Sequence, residues 1–227
     1  MLFSIVVPVL NEEAVLEYHL GNLVRQISHI DCELLIVDGG STDRTIEIAQ
    51  RFGKVISSRR GRAAQMNNGA KIAQGEVLLF LHADTLLPDD AFCVIEHALK
   101  SQEVVGGAFR ICFNCHKWPY QLVAIATNLR SRIHKIFTGD QAYFVRSFSF
   151  RAIGGFPDQP LMEDLEIIKR LRKIGNVVLL PQYVTTSARR HERLGLIRSL
   201  LFMWYLRTLY KFGTSPMKLQ RMYIDVR

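Results

Sequence analysis

The feature that most constrains the fold is a regular alternation of short apolar runs with amphipathic stretches. The apolar runs are rich in Val, Ile and Leu, and they predict strands at 3–9, 33–37, 54–57, 77–81, 104–113, 142–146 and 177–180. Helical spacing of apolar residues predicts helices at 12–27, 42–52, 62–74, 89–100, 118–137 and 164–175. Apolar strands that alternate with helices are typical of a mostly parallel sheet covered on both faces. We therefore predict an α/β fold.

The composition is that of one folded domain with a sizeable core. The chain has 227 residues, of which 48% are hydrophobic. The four cysteines are too few and too scattered for a disulfide framework, so we expect reduced thiols and a cytoplasmic location. The N-terminal MLFSIVVPVL lacks a basic segment and a cleavage site, which favours a strand over a signal peptide. No apolar run reaches the roughly 18–20 residues that span a bilayer.

The net charge of +8 is unevenly distributed. Residues 48–75 contain six Lys or Arg and no acid, and residues 189–227 contain nine Lys or Arg against two acids. Two basic blocks indicate anionic partners or a solubilising surface. No recognisable nucleic-acid-binding motif accompanies the charge, so we expect no nucleic-acid partner.

Polar segments follow three of the predicted strands. The first strand ends in PVLNEE, the second in VDGGSTD and the fourth in HADT. In parallel sheets, ligands bind at the carboxyl ends of the strands, so we expect these three segments to share one edge. There is no G-x-G-x-x-G after the first strand and no P-loop motif, which argues against dinucleotide-dependent dehydrogenases and P-loop nucleotidases.

The first two of these segments suggest both caps and a ligand contact. Asn11 is predicted to cap the first helix, and Ser41 is predicted to cap the second. Asp38 directly follows an apolar strand, where its carboxylate could accept hydrogen bonds from a base or a ribose hydroxyl. A glycine turn with a helix cap explains Gly39 and Ser41 but does not explain an acid at position 38.

Two further segments carry charge that suits a phosphate site. Arg62 follows a glycine and is predicted to reach a diphosphate as a fork donor, whereas its basic neighbours suit a solvated helix face. The segment His82-Ala83-Asp84 is compatible with two roles. It could be a capped strand end, or Asp84 could be a carboxylate ligand for a hard divalent ion.

The pair Glu163-Asp164 begins a predicted helix. Acids at that position are favoured by capping and by the helix dipole. The functional alternative makes Asp164 a general base that accepts the proton of an attacking hydroxyl. The upstream segment 139–141 is predicted to form a lip on the acceptor side.

Taken together, these segments resemble the family 2 glycosyltransferases with a GT-A fold. The resemblance is carried by SIVVPVLNEE, LLIVDGGSTDRT, the Arg62 region with NNGA, LLFLHADT, GGFP…MEDLEI and TSARRHERLG, in that order along nearly the whole chain. It is closest to a short bacterial subgroup of stand-alone domains. The resemblance implies inverting transfer from a nucleotide-diphosphate sugar, UDP-sugars being favoured, with Mn²⁺ or Mg²⁺ as cofactor.

The resemblance also implies the roles of particular residues. It makes Asp164 the base with Glu163 beside it, and Asp84 and His191 metal contacts. The implied donor-binding residues are Pro8, Asn11, Glu12, Asp38, Gly39, Arg62, Asn67, His82 and Ala83. In one respect the chain departs from the family, because His82 replaces the first acid of the D-x-D motif. That replacement puts the usual ribose contact in question.

The C-terminal part is expected to differ from the rest. We predict a GT-A domain over 1–190 and a basic, aromatic helical extension over 191–227. The apolar segment 195–213 contains three Lys or Arg, and it suits either a helix packed on the core or a surface helix that contacts anionic lipid. The second alternative fits a lipid-linked hydroxyl acceptor at the inner face of the membrane.

Two other functions compete with glycosyl transfer. A sugar nucleotidyltransferase would need a glycine-rich basic loop after the first strand, and PVLNEE is not such a loop. A non-catalytic nucleotide-sugar binding module is compatible with His82, but it has no need of a base at Asp164.

Overall fold

The computed structural model describes residues 1–115, 117–189, 192 and 195–223. The strands are β1 (Phe3–Val9), β2 (Cys32–Asp38), β3 (Lys54–Ser57), β4 (Val77–Phe80), β5 (Thr85–Leu86), β6 (Val104–Phe113), β7 (Tyr143–Arg146) and β8 (Asn176–Thr186). The helices are α1 (Glu13–Ile27), α2 (Thr45–Ala49), α3 (Arg62–Ile72), α4 (Ala91–Ala98), α5 (Trp118–His134), α6 (Ser147–Ala152), α7 (Glu163–Leu171), α8 (Leu196–Lys211) and α9 (Pro216–Met222). A short 3₁₀ turn spans Gly139–Gln141.

All these strands form one sheet in the order β3-β2-β1-β4-β7-β6-β8-β5. The first four strands are mutually parallel, β7 runs antiparallel to both of its neighbours, and β6 and β8 are again parallel. The predicted α/β fold with a mostly parallel sheet is therefore confirmed. Because β1 lies between β2 and β4, the carboxyl ends of these three strands lie side by side, as the sequence predicted.

Helices cover both faces of the sheet. Ile5 and Val7 of β1 belong to the hydrophobic cluster on one face, and Val6 belongs to the cluster on the other. All three side chains are fully buried. Burial on both faces explains why the inner strands are continuous apolar runs without polar alternation.

The second helix is shorter than predicted. It covers only Thr45–Ala49 because the residues before it bond to the loop after β1 and to one another. The N–H of Thr42 donates to Asn11 Oδ1 over 2.8 Å, and the N–H of Thr45 donates to Asp43 Oδ1 over 3.0 Å.

The far edge of the sheet is larger than predicted. Strand β8 continues to Thr186, and the two-residue strand β5 pairs antiparallel with its end. The hydroxyls of Thr85 and Thr186 lie 3.3 Å apart in this pairing. Sequence periodicity missed it because three of the four pairing residues are threonines and β5 is very short.

The C-terminal helices pack on the domain through a separate small cluster. Leu206 of α8 and Leu219 of α9 are fully buried beside Met162, which immediately precedes α7. The core-packing alternative for α8 is thus correct for one face of the helix. Within the described part of the chain, no helix is both long enough and apolar enough to cross a membrane.

Candidate functional site

The loops after β1 and β2 are bonded to each other. The side-chain oxygen of Asn11 accepts the N–H of Thr42, and the N–H of Asn11 donates to Ser41 Oγ over 3.0 Å. Asn11 has a φ of 52° and turns the chain, while the N-cap positions of α1 and α2 are Glu12 and Arg44, without side-chain cap bonds. The predictions that Asn11 caps α1 and that Ser41 caps α2 are therefore wrong. Both residues link the two loops instead.

Asp38 is buried at the end of β2, and its own loop satisfies its carboxylate. Its oxygens accept the N–H of Gly40 over 2.8 Å, the N–H of Ser41 over 3.1 Å and the hydroxyl of Ser41 over 2.5 Å. Asp38 thus stabilises the loop that follows β2, a structural role that the sequence did not predict. Contact with a donor nucleotide stays a prediction for Asp38. Pro8 lies in the adjacent strand β1, where it pairs with Val37, the residue before Asp38.

Gln65, which the sequence analysis missed, links the ends of β1 and β2. Its Nε2 donates to the carbonyls of Val9 and Val37, each over 2.8 Å, and the side chain is buried. A Cβ on Gly39 would lie only 3.0 Å from the Gln65 amide. The glycine at position 39 therefore leaves room for this amide beside the predicted nucleotide site.

Arg62 begins α3 after Gly61, whose φ of 132° suits glycine. Burial alone would lower the pKa of the Arg62 guanidinium. The carboxylates of Glu163, Asp164 and Asp84 outweigh that effect, and the pKa is raised. The charge of Arg62 is thus coupled electrostatically to the acids at the end of β4 and at the start of α7.

A cavity of about 700 Å³ opens beside Arg62. The basic segment 59–62, the loop 158–161 and helix α9 line it, and Arg221 and Tyr223 lie on the α9 side. The side chain of Arg59 pairs with Asp158 at its rim. The cavity is large enough for a substrate fragment and carries an excess of arginine.

Asn67 has a structural role. Its Nδ2 donates to the carbonyl of Phe156, and its Oδ1 accepts the N–H of Phe156, both over 2.9 Å. Because both polar atoms of the side chain are bonded to one backbone unit, the position does not support the predicted donor contact. A Cβ on Gly155 would lie 2.6 Å from Asn67 Oδ1, which explains the second glycine of Gly154-Gly155.

The segment 82–84 forms a turn after β4, in which the N–H of Thr85 donates to the carbonyl of His82 over 3.1 Å. Ala83 is buried in the core. The imidazole of His82 lies against the backbone of Gly139, since a Cβ there would be 2.7 Å from His82 Nε2. His82 thus brings the end of β4 into contact with the predicted acceptor lip at 139–141.

Asp84 and Glu12 share one arginine. Arg189 Nη2 lies 3.3 Å from Asp84 Oδ2 and 3.2 Å from Glu12 Oε2. Burial lowers the pKa of the Arg189 guanidinium, but the two carboxylates outweigh it and the pKa is raised. Sequence analysis assigned no role to Arg189, which lies in the TSARRHERLG segment. Its long-range pairing has no local signal in the chain.

In the described part of the chain, no three His, Cys, Asp or Glu side chains converge as a metal cluster. Asp84 nevertheless lies just after the end of β4, and its carboxylate already pairs with the guanidinium of Arg189. Mg²⁺ usually takes one or two protein carboxylates and completes its shell with phosphate oxygens and water. This donor set therefore fits an ion that is bound together with a diphosphate. His191, the second predicted metal contact, lies outside the described residues.

Glu163 and Asp164 form the first turn of α7, and Glu163 is buried. Asp164 Oδ1 accepts the N–H of Leu165 over 2.8 Å, and Oδ2 accepts the N–H of Gly139 over 3.4 Å. The predicted lip therefore contacts the predicted base. Burial raises the pKa of Asp164 despite the opposing charges of Arg207 and Arg62.

Four more polar groups that the sequence analysis did not single out as ligands surround Asp164. The hydroxyl of Tyr143 is buried, and burial followed by the charge of Asp164 raises its pKa well above the ordinary value. Burial and then the charge of Arg207 lower the pKa of Arg130, whose Nε and Nη2 are buried, and Asp140 contributes a buried Oδ1. These atoms of Tyr143, Arg130 and Asp140 have no hydrogen-bond partner among the described residues. The surroundings of Asp164 therefore contain buried polar atoms whose hydrogen-bonding capacity is not used within the described part of the chain.

Parts of two glycosyltransferases are similar to this chain in sequence. A PGL/p-HBAD biosynthesis glycosyltransferase of Mycobacterium bovis is 43% identical over 94 residues, which is 38% of this chain and 36% of that protein. A dolichol-phosphate mannosyltransferase of Pyrococcus furiosus is 27% identical over 129 residues, which is 53% of this chain and 37% of that protein. The chain thus spans about a third of the length of these curated relatives.

Solved structures share the fold. The mannosyltransferase PcManGT of Pyrobaculum calidifontis, in complex with GDP-Man and Mn²⁺, has a TM-score of 0.67 at 21% identity, over 94% of this chain and 65% of that one. TarS 1-349 of S. aureus, in complex with UDP-GlcNAc, has a TM-score of 0.64 at 21% identity, over 82% of this chain and 58% of that one. Both likenesses confirm the GT-A architecture.

The family itself follows from the sequence match. The family model for glycosyl transferase family 2 matches residues 4–154, about two thirds of the chain, and includes the ends of β1, β2 and β4. The chain therefore belongs to glycosyl transferase family 2.

Proposed function

We propose that the chain is an inverting glycosyltransferase, which moves a sugar from a nucleotide-diphosphate donor to a hydroxyl acceptor. The observation that carries the proposal is the family match over residues 4–154, which includes the adjacent ends of β1, β2 and β4. Arg62, at the start of α3, supports it. Its guanidinium is coupled to Asp84 on the donor side and to Asp164 on the acceptor side. A diphosphate leaving group needs fixed cations beside the oxygens on which its negative charge develops, and Arg62 is proposed to be one of them.

The donor is proposed to lie across the ends of β1, β2 and β4. Asp38 and its glycine loop would border the base and ribose, and Arg62 would donate to the diphosphate. Relatives of the same fold that were solved with UDP-GlcNAc or GDP-Man support a nucleotide-sugar donor, and we favour UDP-sugars.

A divalent ion, Mn²⁺ or Mg²⁺, is proposed as cofactor, with Asp84 as its protein ligand. When bound, the ion would offset the charge that develops on the departing diphosphate. Structures solved with Mn²⁺ support this class of cofactor. Arg189 would then release Asp84 and keep its bond to Glu12.

Asp164 is proposed as the general base. As the acceptor oxygen forms its bond to the anomeric carbon, the bond from that carbon to the diphosphate oxygen breaks. The acceptor proton passes to Asp164, and the nucleoside diphosphate leaves with the bonding electrons. Burial, which raises the pKa of Asp164, makes it a better proton acceptor than a solvated aspartate.

The proposed acceptor is a hydroxyl compound that enters past the 139–141 turn. A lipid-linked acceptor and contact of residues 195–213 with the inner face of the membrane stay predictions. A cytoplasmic location likewise stays a prediction.

Calorimetric titration with UDP-, GDP- and dTDP-sugars, with and without Mn²⁺, tests the donor assignment. We expect metal-enhanced binding of one donor by the wild-type chain, loss of that enhancement in Asp84→Ala, and intact binding in Asp164→Asn. Release of nucleoside diphosphate is then measured with simple hydroxyl acceptors. Tight donor binding without turnover in wild type and variants alike would favour the non-catalytic module instead.

A further inference from the structure

The largest unexplained feature of the surface is a row of apolar side chains on α5. The row has the spacing of one helical face, and each side chain is between 54% and 71% exposed. Its members are Trp118, Leu122, Ile125, Leu129 and Ile133. The opposite face of α5 holds the helix to the sheet, since the amide of Asn128 bonds both the N–H and the carbonyl of Ile111 over 2.9 Å. The exposed row therefore has no role in the core.

Helix α8 has a second row of this kind. Its inner face is buried at Ser199 and Leu206. Its outer face exposes Ile197, Leu201, Trp204 and Tyr205, to between 46% and 74%, and the C-cap Phe212 is 82% exposed. Isolated exposed leucines are ordinary on a folded protein, but two such rows are not.

Both helices pack beside the start of α7. Ser131 of α5 donates to Gln141 Oε1 over 3.1 Å, in the turn whose Gly139 N–H donates to Asp164. Leu206 of α8 packs on Met162, which immediately precedes α7. The two helices therefore border the same part of the molecule, the part that holds Asp164.

Charge distinguishes this side from an ordinary protein interface. Neither α5 nor α8 contains an Asp or Glu. Their exposed cations are Arg132 on α5 and Arg198 and Lys211 on α8. Large apolar and aromatic side chains flanked by cations are the pattern of helices that lie in the interface of an anionic bilayer.

An apolar groove of about 450 Å³ adjoins the α5 row. Ile125 and Leu129 line one wall, Phe113 lies on the strand side, and Arg110 and Arg132 also line it. The combination of an apolar floor and two guanidiniums suits a lipid chain beneath an anionic headgroup.

We infer that the exposed rows of α5 and α8 form one docking surface for an anionic lipid bilayer. A second copy of the chain is a poorer occupant, because pairing this surface with itself would bring Arg and Lys residues face to face. Docking is peripheral, since neither helix is long and apolar enough to span. The inference is independent of the glycosyl-transfer proposal and adds α5 to the predicted contact at 195–213.

Vesicle flotation of the full chain tests the inference. One set of vesicles is pure phosphatidylcholine, and the other contains about one third phosphatidylglycerol. We expect flotation with the anionic vesicles, weaker flotation with the neutral ones, and loss of binding as salt is added. The double variant Leu129→Ser/Trp204→Ser should reduce the partition coefficient at least about tenfold, because two large apolar groups no longer insert.

The matched control is Tyr18→Ser/Phe148→Ser, which removes two apolar side chains that are 64% and 65% exposed on other elements. It should float like the wild type. Full recovery of the wild type in the unbound fraction with both kinds of vesicle would overturn the inference. So would equal flotation with neutral and anionic vesicles, or light scattering that shows a dimer which only Leu129→Ser/Trp204→Ser dissociates.

Discussion

Asp84 Oδ2 and Arg189 Nη2 form an ion pair of 3.3 Å that ties the end of β4 to the segment after β8. The same guanidinium nitrogen reaches Glu12, so two carboxylates depend on one cation. The pair is partly exposed, and exposed ion pairs contribute at most about 1 kcal/mol to folding. The ion pair therefore matters less for folding stability than for the local charge around Asp84 and Glu12.

Arg189→Ala should leave two carboxylates close together without their cation. We expect the free energy of unfolding to fall by less than about 1 kcal/mol. The apparent affinity for Mn²⁺ should rise, because the ion no longer competes with the guanidinium for Asp84. Thermal shift against Mn²⁺ concentration measures the affinity. Arg44→Ala, which removes an exposed pair with Glu47, is the control and should leave Mn²⁺ binding unchanged.

Asp164→Asn should lose transfer by about two to four orders of magnitude while donor binding persists. Its thermal midpoint at neutral pH should rise. The pKa of Asp164 is raised on folding above its ordinary value of 3.8, so the stability it contributes is full below that value and is lost as pH rises through the folded pKa. At neutral pH the buried carboxylate therefore costs stability, which the neutral amide avoids.

The pH profile of the wild-type chain provides a second measurement of the same residue. The base must be ionised, so activity should decline on the acidic side at a pH above that expected for a solvated aspartate. Glu166→Gln, in the same helix turn, is the control and should keep both the profile and the rate. A full rate in Asp164→Asn would refute the assignment of the base.

Asn67→Ala should destabilise the fold by about 1–3 kcal/mol, because it leaves the N–H and the carbonyl of Phe156 without their partner. Asn68→Ala is the matched control. Asn68 is exposed and makes one bond of 3.3 Å to the carbonyl of Ser57, so its loss should cost well under about 1 kcal/mol. Urea denaturation of both variants measures the difference. Equal costs would contradict the structural role of Asn67.

Sequence reasoning recovered the sheet and the edge at which the site lies, because apolar runs and strand-end acids are local signals. It failed where the deciding partner is distant in the chain. Gln65 bonds two strand ends that are 28 and 56 positions away, and Arg189 pairs with Glu12 at a separation of 177. Asn67 was predicted to contact the donor, and its bond to Phe156, 89 positions downstream, could not be foreseen from the sequence. Exposure of the α5 row is likewise a tertiary property, because periodicity gives a face but not what covers it.

The contact between His82 and Gly139 yields the last prediction. A Cβ at position 139 would lie 2.7 Å from His82 Nε2, which is closer than side-chain atoms approach, so Gly139→Ala must displace the imidazole or the turn. The N–H of the same glycine donates to Asp164, so the displacement should reach the proposed base. We expect Gly139→Ala to lower both stability and transfer.

His82→Ala should remove the clash and restore part of what Gly139→Ala loses. The coupling energy in the double-mutant cycle should be about 0.5–3 kcal/mol in the rescuing direction. Gly21→Ala is the control, since its Cβ would meet its nearest neighbour at 3.8 Å in the middle of α1. Additive effects of Gly139→Ala and His82→Ala would mean that the imidazole does not support the turn. The presence of a histidine at position 82 would then have to be explained by a donor contact alone.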